Sequence, residues 1–97
     1  VIVPNNPSKY ELNLASMLAL GIHKITRLPL RNNGTGVITE KQSKRGSLGI
    51  MRKEGTVVLI ELGFISNPND VKIVLEKRDT ICNFIGDCLI IAEDWLS

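Results

Sequence analysis

The sequence predicts an α/β domain, a layered sheet flanked by helices, of which it supplies a piece. Three observations carry that prediction. A near-continuous apolar run, Thr56-Val57-Val58-Leu59-Ile60, ends on Glu61 and reads as a strand buried on both faces. A segment from Ser8 to about Thr26 has helical spacing and an apolar face wide enough to pack on a sheet. The predicted order is strand, helix, loop, strand, strand, helix, helix, which fits a layered domain but supplies few strands for a complete sheet.

Val1-Ile2-Val3 reads as the end of a strand, stopped by the turn chemistry of Pro4-Asn5-Asn6-Pro7. Ser8 begins the first helix, with Glu11 placed to complete a capping box. Leu12, Ala15, Ala19 and Ile22 form one stripe of that helix, and Leu14, Leu18 and Ile25 widen it. From Leu28 to about Ser47 the periodicity is lost in a polar, glycine-containing loop, and a loop of this length in a small domain is usually functional or mobile. Leu48 to Met51 reads as a short strand, and Arg52 to Gly55 connects it to the buried one. After Asn67-Pro68, which offer an N-cap and a first-turn proline, Asp70 to Glu76 reads as a short helix. A last helix from about Asp79 to Trp95 places Ile81, Ile85, Cys88, Leu89, Ala92 and Leu96 at helical spacing.

The 97 residues are enough for one domain with one core, residues 1–97, and a second domain is not expected. The net charge is +2, and the basic residues, among them Lys41, Lys44, Arg45, Arg52, Lys53, Lys72, Lys77 and Arg78, are dispersed. With aromatics limited to Tyr10, Phe64, Phe84 and Trp95, nucleic acid is not an expected partner. No apolar stretch reaches the ~18–20 residues of a membrane span. Cys82 and Cys88 point in different directions from one predicted helix, so they read as buried, reduced thiols that do not bridge. The chain starts on Val1, which reads as a processed product or the downstream piece of something longer.

Glu61 is the first candidate for chemistry. A carboxylate at the carboxyl end of an apolar strand lies where open α/β sheets place their ligands, and its desolvation calls for water, a cation or a metal-bound ligand. The structural alternative is a strand-end acid that faces solvent or pairs with a lysine. His23, the only histidine, falls near the C-terminal end of the first helix and reads as a surface or cap-proximal residue rather than a metal ligand. Ser47 and Ser66 lack a GxSxG context, and the glycines from Gly34 to Gly49 form no phosphate-binding loop.

Val58-Leu59-Ile60-Glu61-Leu62-Gly63-Phe64-Ile65-Ser66-Asn67-Pro68, followed by Asp70, resembles the motif near the C-terminal end of the zinc-dependent N-acetylmuramoyl-L-alanine amidases of the type 3 amidase family. Upstream, Ser8 with Leu14-Ala15 resembles the family's helix after its last zinc-ligand strand. Gly36-Val37 resembles its Arg-Gly-Val-Lys loop, and Lys41-Gln42-Ser43, Arg45-Gly46-Ser47-Leu48-Gly49 and Met51-Arg52 resemble the version in phage and phage-like lysins. The resemblance spans nearly all of this chain but only about the second half of the family's domain.

By that resemblance Glu61 is the catalytic general acid/base in cleavage of the amide between N-acetylmuramic acid and L-alanine of peptidoglycan, with zinc activating the water. The family's zinc ligands, two histidines and a glutamate, are expected upstream of Val1, and His23 matches neither histidine motif. Zinc is therefore expected in the complete domain and not in the isolated chain, which is expected to be inactive. Asn67 and Pro68 are expected to cap and turn, and Arg52 to be a solvated loop residue or a contact to the stem peptide. Thr35, Ile38 and Thr56 depart from the family's Arg, Lys and proline. The expected partners are peptidoglycan and the N-terminal part of the domain, and the expected setting is the periplasm, the cell wall or extracellular space, or a phage lysin acting on the wall. The alternative is a non-catalytic cell-wall-binding or structural module derived from an amidase half-domain.

Overall fold

The computed structural model describes residues 1–96, Leu96 by its backbone alone. Its elements are β1 (Ile2–Val3), α1 (Lys9–Thr26), β2 (Ile38–Thr39), a 3₁₀ turn (Gly49–Arg52), α2 (Pro68–Glu76) and α3 (Arg78–Leu96). The result is a mixed α/β domain dominated by helices, with a small sheet.

β1 and β2 pair in parallel, Ile2 opposite Ile38 and Val3 opposite Thr39, and α1 makes the crossover that parallel strands need. α1 begins as its sequence dictates. The Ser8 hydroxyl accepts from the Glu11 N–H at 3.2 Å, and the Glu11 carboxylate accepts from the Ser8 N–H at 2.9 Å. Glu11 does more than cap: its other oxygen accepts from the Val57 N–H at 2.8 Å and ties the apolar run to the start of α1.

That run, expected to be a buried strand over Thr56 to Glu61, is instead an extended segment with one antiparallel bridge, Leu59 to Ile2. Glu11 takes the Val57 N–H that a longer ladder would use. The two-faced packing is nevertheless present. Val58 and Ile60 pack with Leu14, Leu18, Cys88 and Ala92, while Val57 and Leu59 pack with Ile2, Ile38 and Met51. Alternation of an extended chain divides one apolar run between two clusters, and its side chains remain half-buried.

Three further expectations are corrected. Leu48 to Met51 is not a strand: Met51 N–H bonds Leu48 O and Lys53 N–H bonds Ile50 O, closing 3₁₀ turns that bury Met51. The loop from Leu28 to Ser47 contains β2, whose two residues are too few to show a period. The wide face of α1 packs on α3 as well as β1, not on a broad sheet. On α3, Ile81, Cys88 and Ala92 are buried and Ile85 half-buried, but Leu89 is 55% exposed. It stands about 100° around the helix from Cys88, beyond the stripe that α1 covers. Leu12 on α1 is exposed for the same reason. The side chain of Leu96 lies outside the described residues.

The α1–α3 contact depends on Gly21. A Cβ there would lie 1.9 Å from the Phe84 ring, so the ring's place against α1 is open to glycine alone.

Both cysteines are free, but only Cys88 is buried; Cys82 is exposed, on a face of α3 turned from the core. Burial, with Asp87 adding to it, pushes the Cys88 thiol above its ordinary value. The native chain is expected to react with one equivalent of a disulfide reagent at neutral pH and with two after unfolding; two fast thiols in the native state would contradict the packing. The folded state holds the Cys88 proton more tightly than the unfolded chain does. Its contribution to stability is thus complete below about pH 8.5 and is lost as pH rises through the raised value.

Candidate functional site

Glu61 stands where the extended segment leaves the core and turns toward α2. The residues after it build that turn. Asn67 N–H donates to Phe64 O at 2.9 Å, and the Asn67 side-chain oxygen accepts from the N–H groups of Asn69 at 3.0 Å and Asp70 at 3.3 Å. Pro68 occupies the first turn of α2, where a missing N–H costs nothing. Asp70 reaches back to accept from Phe64 N–H at 3.1 Å. Gly63 leaves room for this approach: a Cβ there would stand 3.1 Å from the Asp70 Cβ, so Asp70 would have to give by a few tenths of an ångström. The side chains of Asn67 and Asp70 thus fix the chain just beyond Glu61.

The opposite wall comes from the end of α1. Arg27 adopts the left-handed conformation (φ 63°) and its N–H donates to His23 O at 2.7 Å. The Thr26 hydroxyl donates to Ile22 O and accepts from Leu28 N–H. The His23 ring bonds Leu28 O through Nδ1 at 2.6 Å. A carbonyl only accepts, so Nδ1 carries the proton. These bonds direct Leu28-Pro29-Leu30-Arg31 across the face of Glu61.

Between the walls lie a cavity of about 90 Å³, lined in part by His23, Arg31, Gly36, Ile60 and Glu61, and a groove of about 300 Å³, lined in part by Pro29, Arg31, Glu61, Phe64 and Asn67. Glu61 is 25% exposed. Arg45 donates from Nη2 to its Oε2 at 2.7 Å, and Arg31 Nη1 lies 4.0 Å from its Oε1. The cation that the structural alternative calls for is present, as arginine rather than lysine.

Arg45 is positioned by the loop from Glu40 to Leu48. Its N–H donates to the Ser43 hydroxyl at 3.3 Å, Ser43 N–H bonds Thr39 O, and the Glu40 carboxylate accepts from Leu48 N–H. Neither arginine was singled out as a partner of Glu61 by sequence reasoning. Arg45 lies within the loop that has no period. Arg31 offered one local signal, since it follows the apolar Leu28-Pro29-Leu30 and precedes the Asn32-Asn33-Gly34 turn.

His23 and Glu61 border the same cavity, while Arg52 lies away from it and donates to the Ser47 hydroxyl. Ser66 is exposed in the turn before α2. Of the positions that depart from the family motif, Thr35 bonds within the turn at Asn32, and Ile38 is buried in β2. Among the described residues no three His, Cys, Asp or Glu side chains are grouped to hold a metal. Glu61 and His23 are two side chains, where a zinc site takes three or four protein ligands. No helix among the described residues is long and apolar enough to cross a membrane. Comparison with family models, curated proteins and solved structures finds no match for the chain.

Proposed function

We propose that this chain is the C-terminal part of the catalytic domain of a zinc-dependent N-acetylmuramoyl-L-alanine amidase, with Glu61 as general acid/base. The observation that supports it is the turn behind Glu61. Gly63, Asn67, Pro68 and Asp70 combine to present one carboxylate, partly accessible, at the edge of a groove. Hydrolysis of an unactivated amide needs a group that takes a proton from the attacking water and returns one to the leaving amine, and a positioned carboxylate serves both steps. In this proposal the zinc ligands belong to residues upstream of Val1. Peptidoglycan is the substrate, and the cell wall is the place of action.

The Arg45 contact favours a second reading. A carboxylate held at 2.7 Å by a guanidinium is a structural ion pair until that contact opens, as in a wall-binding module that has lost catalysis. Muropeptide release by the complete domain, alongside pull-down on insoluble peptidoglycan, separates the two. Release of free stem peptide is the expected result; retention on the wall without release would favour the module.

A further inference from the structure

The small sheet has two edges, and the chain closes one of them with its own groups. Along β2, the Val37 N–H donates to the Thr35 hydroxyl at 3.3 Å and the Val37 carbonyl accepts from the Asn32 amide at 2.9 Å. The Thr39 N–H donates to Gln42 Oε1 at 2.8 Å, and the Thr39 carbonyl accepts from the Ser43 N–H at 3.0 Å. The other edge belongs to the extended segment 56–62. Leu59 turns its N–H and its carbonyl to Ile2, at 2.9 and 2.7 Å. Backbone direction alternates along an extended chain, so Val58 and Ile60 turn theirs away from β1. Among the described residues nothing bonds those groups. Natural sheets blunt such an edge with charge, proline or a covering loop. Segment 56–62 carries one charge, Glu61, and Arg45 already holds it.

We propose that this edge pairs with the same edge of a second copy of the chain, forming an antiparallel twofold dimer. A row of unpaired N–H and carbonyl groups fits an extended backbone, and a twofold axis makes two identical strands antiparallel. With the axis at Leu59, Val58 stands opposite Ile60 of the second copy and Ile60 opposite its Val58, which satisfies all the free groups of both residues at once. Val58 then meets Ile60 on one face of the sheet, and Leu59 meets Leu59 on the other. Like charges stay apart, because the two Glu61 carboxylates fall at opposite ends of the paired run, roughly 13 Å apart along the strands. The helices fit the same arrangement. Phe84, whose ring meets α1 at Gly21, and Leu89 stand about 140° apart around α3. Leu89 is therefore on the flank turned from α1, and its exposure leaves an apolar surface for the second α3. The inference rests on the sheet edge and holds whether or not Glu61 catalyses.

The test combines sedimentation equilibrium of the 97-residue chain with amide hydrogen exchange at the same concentrations. A monomer–dimer equilibrium is expected, in which the Val58 and Ile60 amides gain at least about tenfold protection as dimer replaces monomer. Leu59, bonded to Ile2, should be protected throughout. In dimers of labelled and unlabelled copies, isotope-filtered NOEs should join Leu59 to Leu59 and Val58 to Ile60. Thr56→Pro removes one outward N–H per copy at the first residue of the run, where proline is tolerated. It should raise the dissociation constant at least about tenfold, the scale of two lost hydrogen bonds. Ile65→Ser, on the exposed turn before α2, should leave that constant unchanged. A chain that stays monomeric at millimolar concentration would overturn the proposal, as would a dimer whose Val58 and Ile60 amides exchange as in the monomer. So would a monomeric complete domain with those two amides protected, which would give the edge to another strand of the same polypeptide. Muropeptide release enters none of these measurements, so failure here and failure of the amidase reading are told apart.

Discussion

Glu61→Gln in the complete domain is expected to lower muropeptide release by about 10²- to 10⁴-fold, the usual contribution of a positioned general acid/base. At about 1.36 kcal/mol per tenfold, that is roughly 3–5 kcal/mol of barrier. Glutamine keeps the shape of the side chain and an oxygen that accepts from Arg45, but it has no site for the proton in transit. The fold should be little affected. Both guanidinium partners are about half exposed, 55% for Arg31 and 52% for Arg45, and exposed pairs of this kind contribute about 0–1 kcal/mol. Thermal denaturation and zinc content therefore provide the controls: both should stay close to wild type while release collapses. Near-normal release by a folded Glu61→Gln domain would remove Glu61 from the chemistry. Parallel loss of release and folding would mean that the carboxylate serves structure. Arg45 adds a refinement: it holds Oε2, and leaves Oε1, 4.0 Å from Arg31, as the oxygen free to take a proton. Arg45→Gln is expected to spare release far better than Glu61→Gln does.

The helices were legible because their determinants are local. Ser8 and Glu11 satisfy each other within one turn, and the Asn67-Pro68 start of α2 rests on bonds to the next three residues. The stripe of α3 was legible only where α1 covers it, so Ile81, Cys88 and Ala92 were read correctly and Leu89 was not. The small sheet was hidden for the opposite reason. β1 and β2 are two residues each and pair Ile2 with Ile38 and Val3 with Thr39, so no short window of sequence contains both the strand and its partner. The run from Val57 to Ile60 announced burial on two faces, and it packs on two faces. What its composition could not announce was that Glu11 would take the Val57 N–H and interrupt the ladder. The turn beyond Glu61 was legible in Asn67 and Pro68. The wall opposite was not, because it depends on how α1 ends at Arg27 and on where Arg31 and Arg45 are carried by turns.

That dependence makes Gly36→Ala the substitution expected to disturb the fold most. Gly36 has φ +71° and its N–H closes the Arg31 turn at 2.8 Å, while its carbonyl accepts from the Val1 nitrogen at 2.8 Å. Alanine in that conformation costs about 1–2 kcal/mol from backbone sterics alone. Its methyl would also stand 2.8 Å from the Ala19 Cβ and 2.6 Å from a Leu30 methyl. Leu30 ends in a flexible side chain and can move. Ala19 is fixed to the buried face of α1, so the loop or the helix must shift, and overpacking of this kind costs about 1–3 kcal/mol more. The sum, roughly 2–5 kcal/mol, is a large share of the stability of a small domain. Denaturant unfolding measures it, and a partner substitution divides the two causes. Ala19→Gly removes the atom in the way, at about 1 kcal/mol of helix propensity. If steric contact contributes as stated, Ala19→Gly together with Gly36→Ala will be more stable than the sum of the single changes predicts, leaving mainly the backbone cost. Strict additivity would place the whole penalty in the left-handed backbone, and a loss under about 1 kcal/mol for Gly36→Ala would show that the loop carrying Arg31 does not rest on α1 as described.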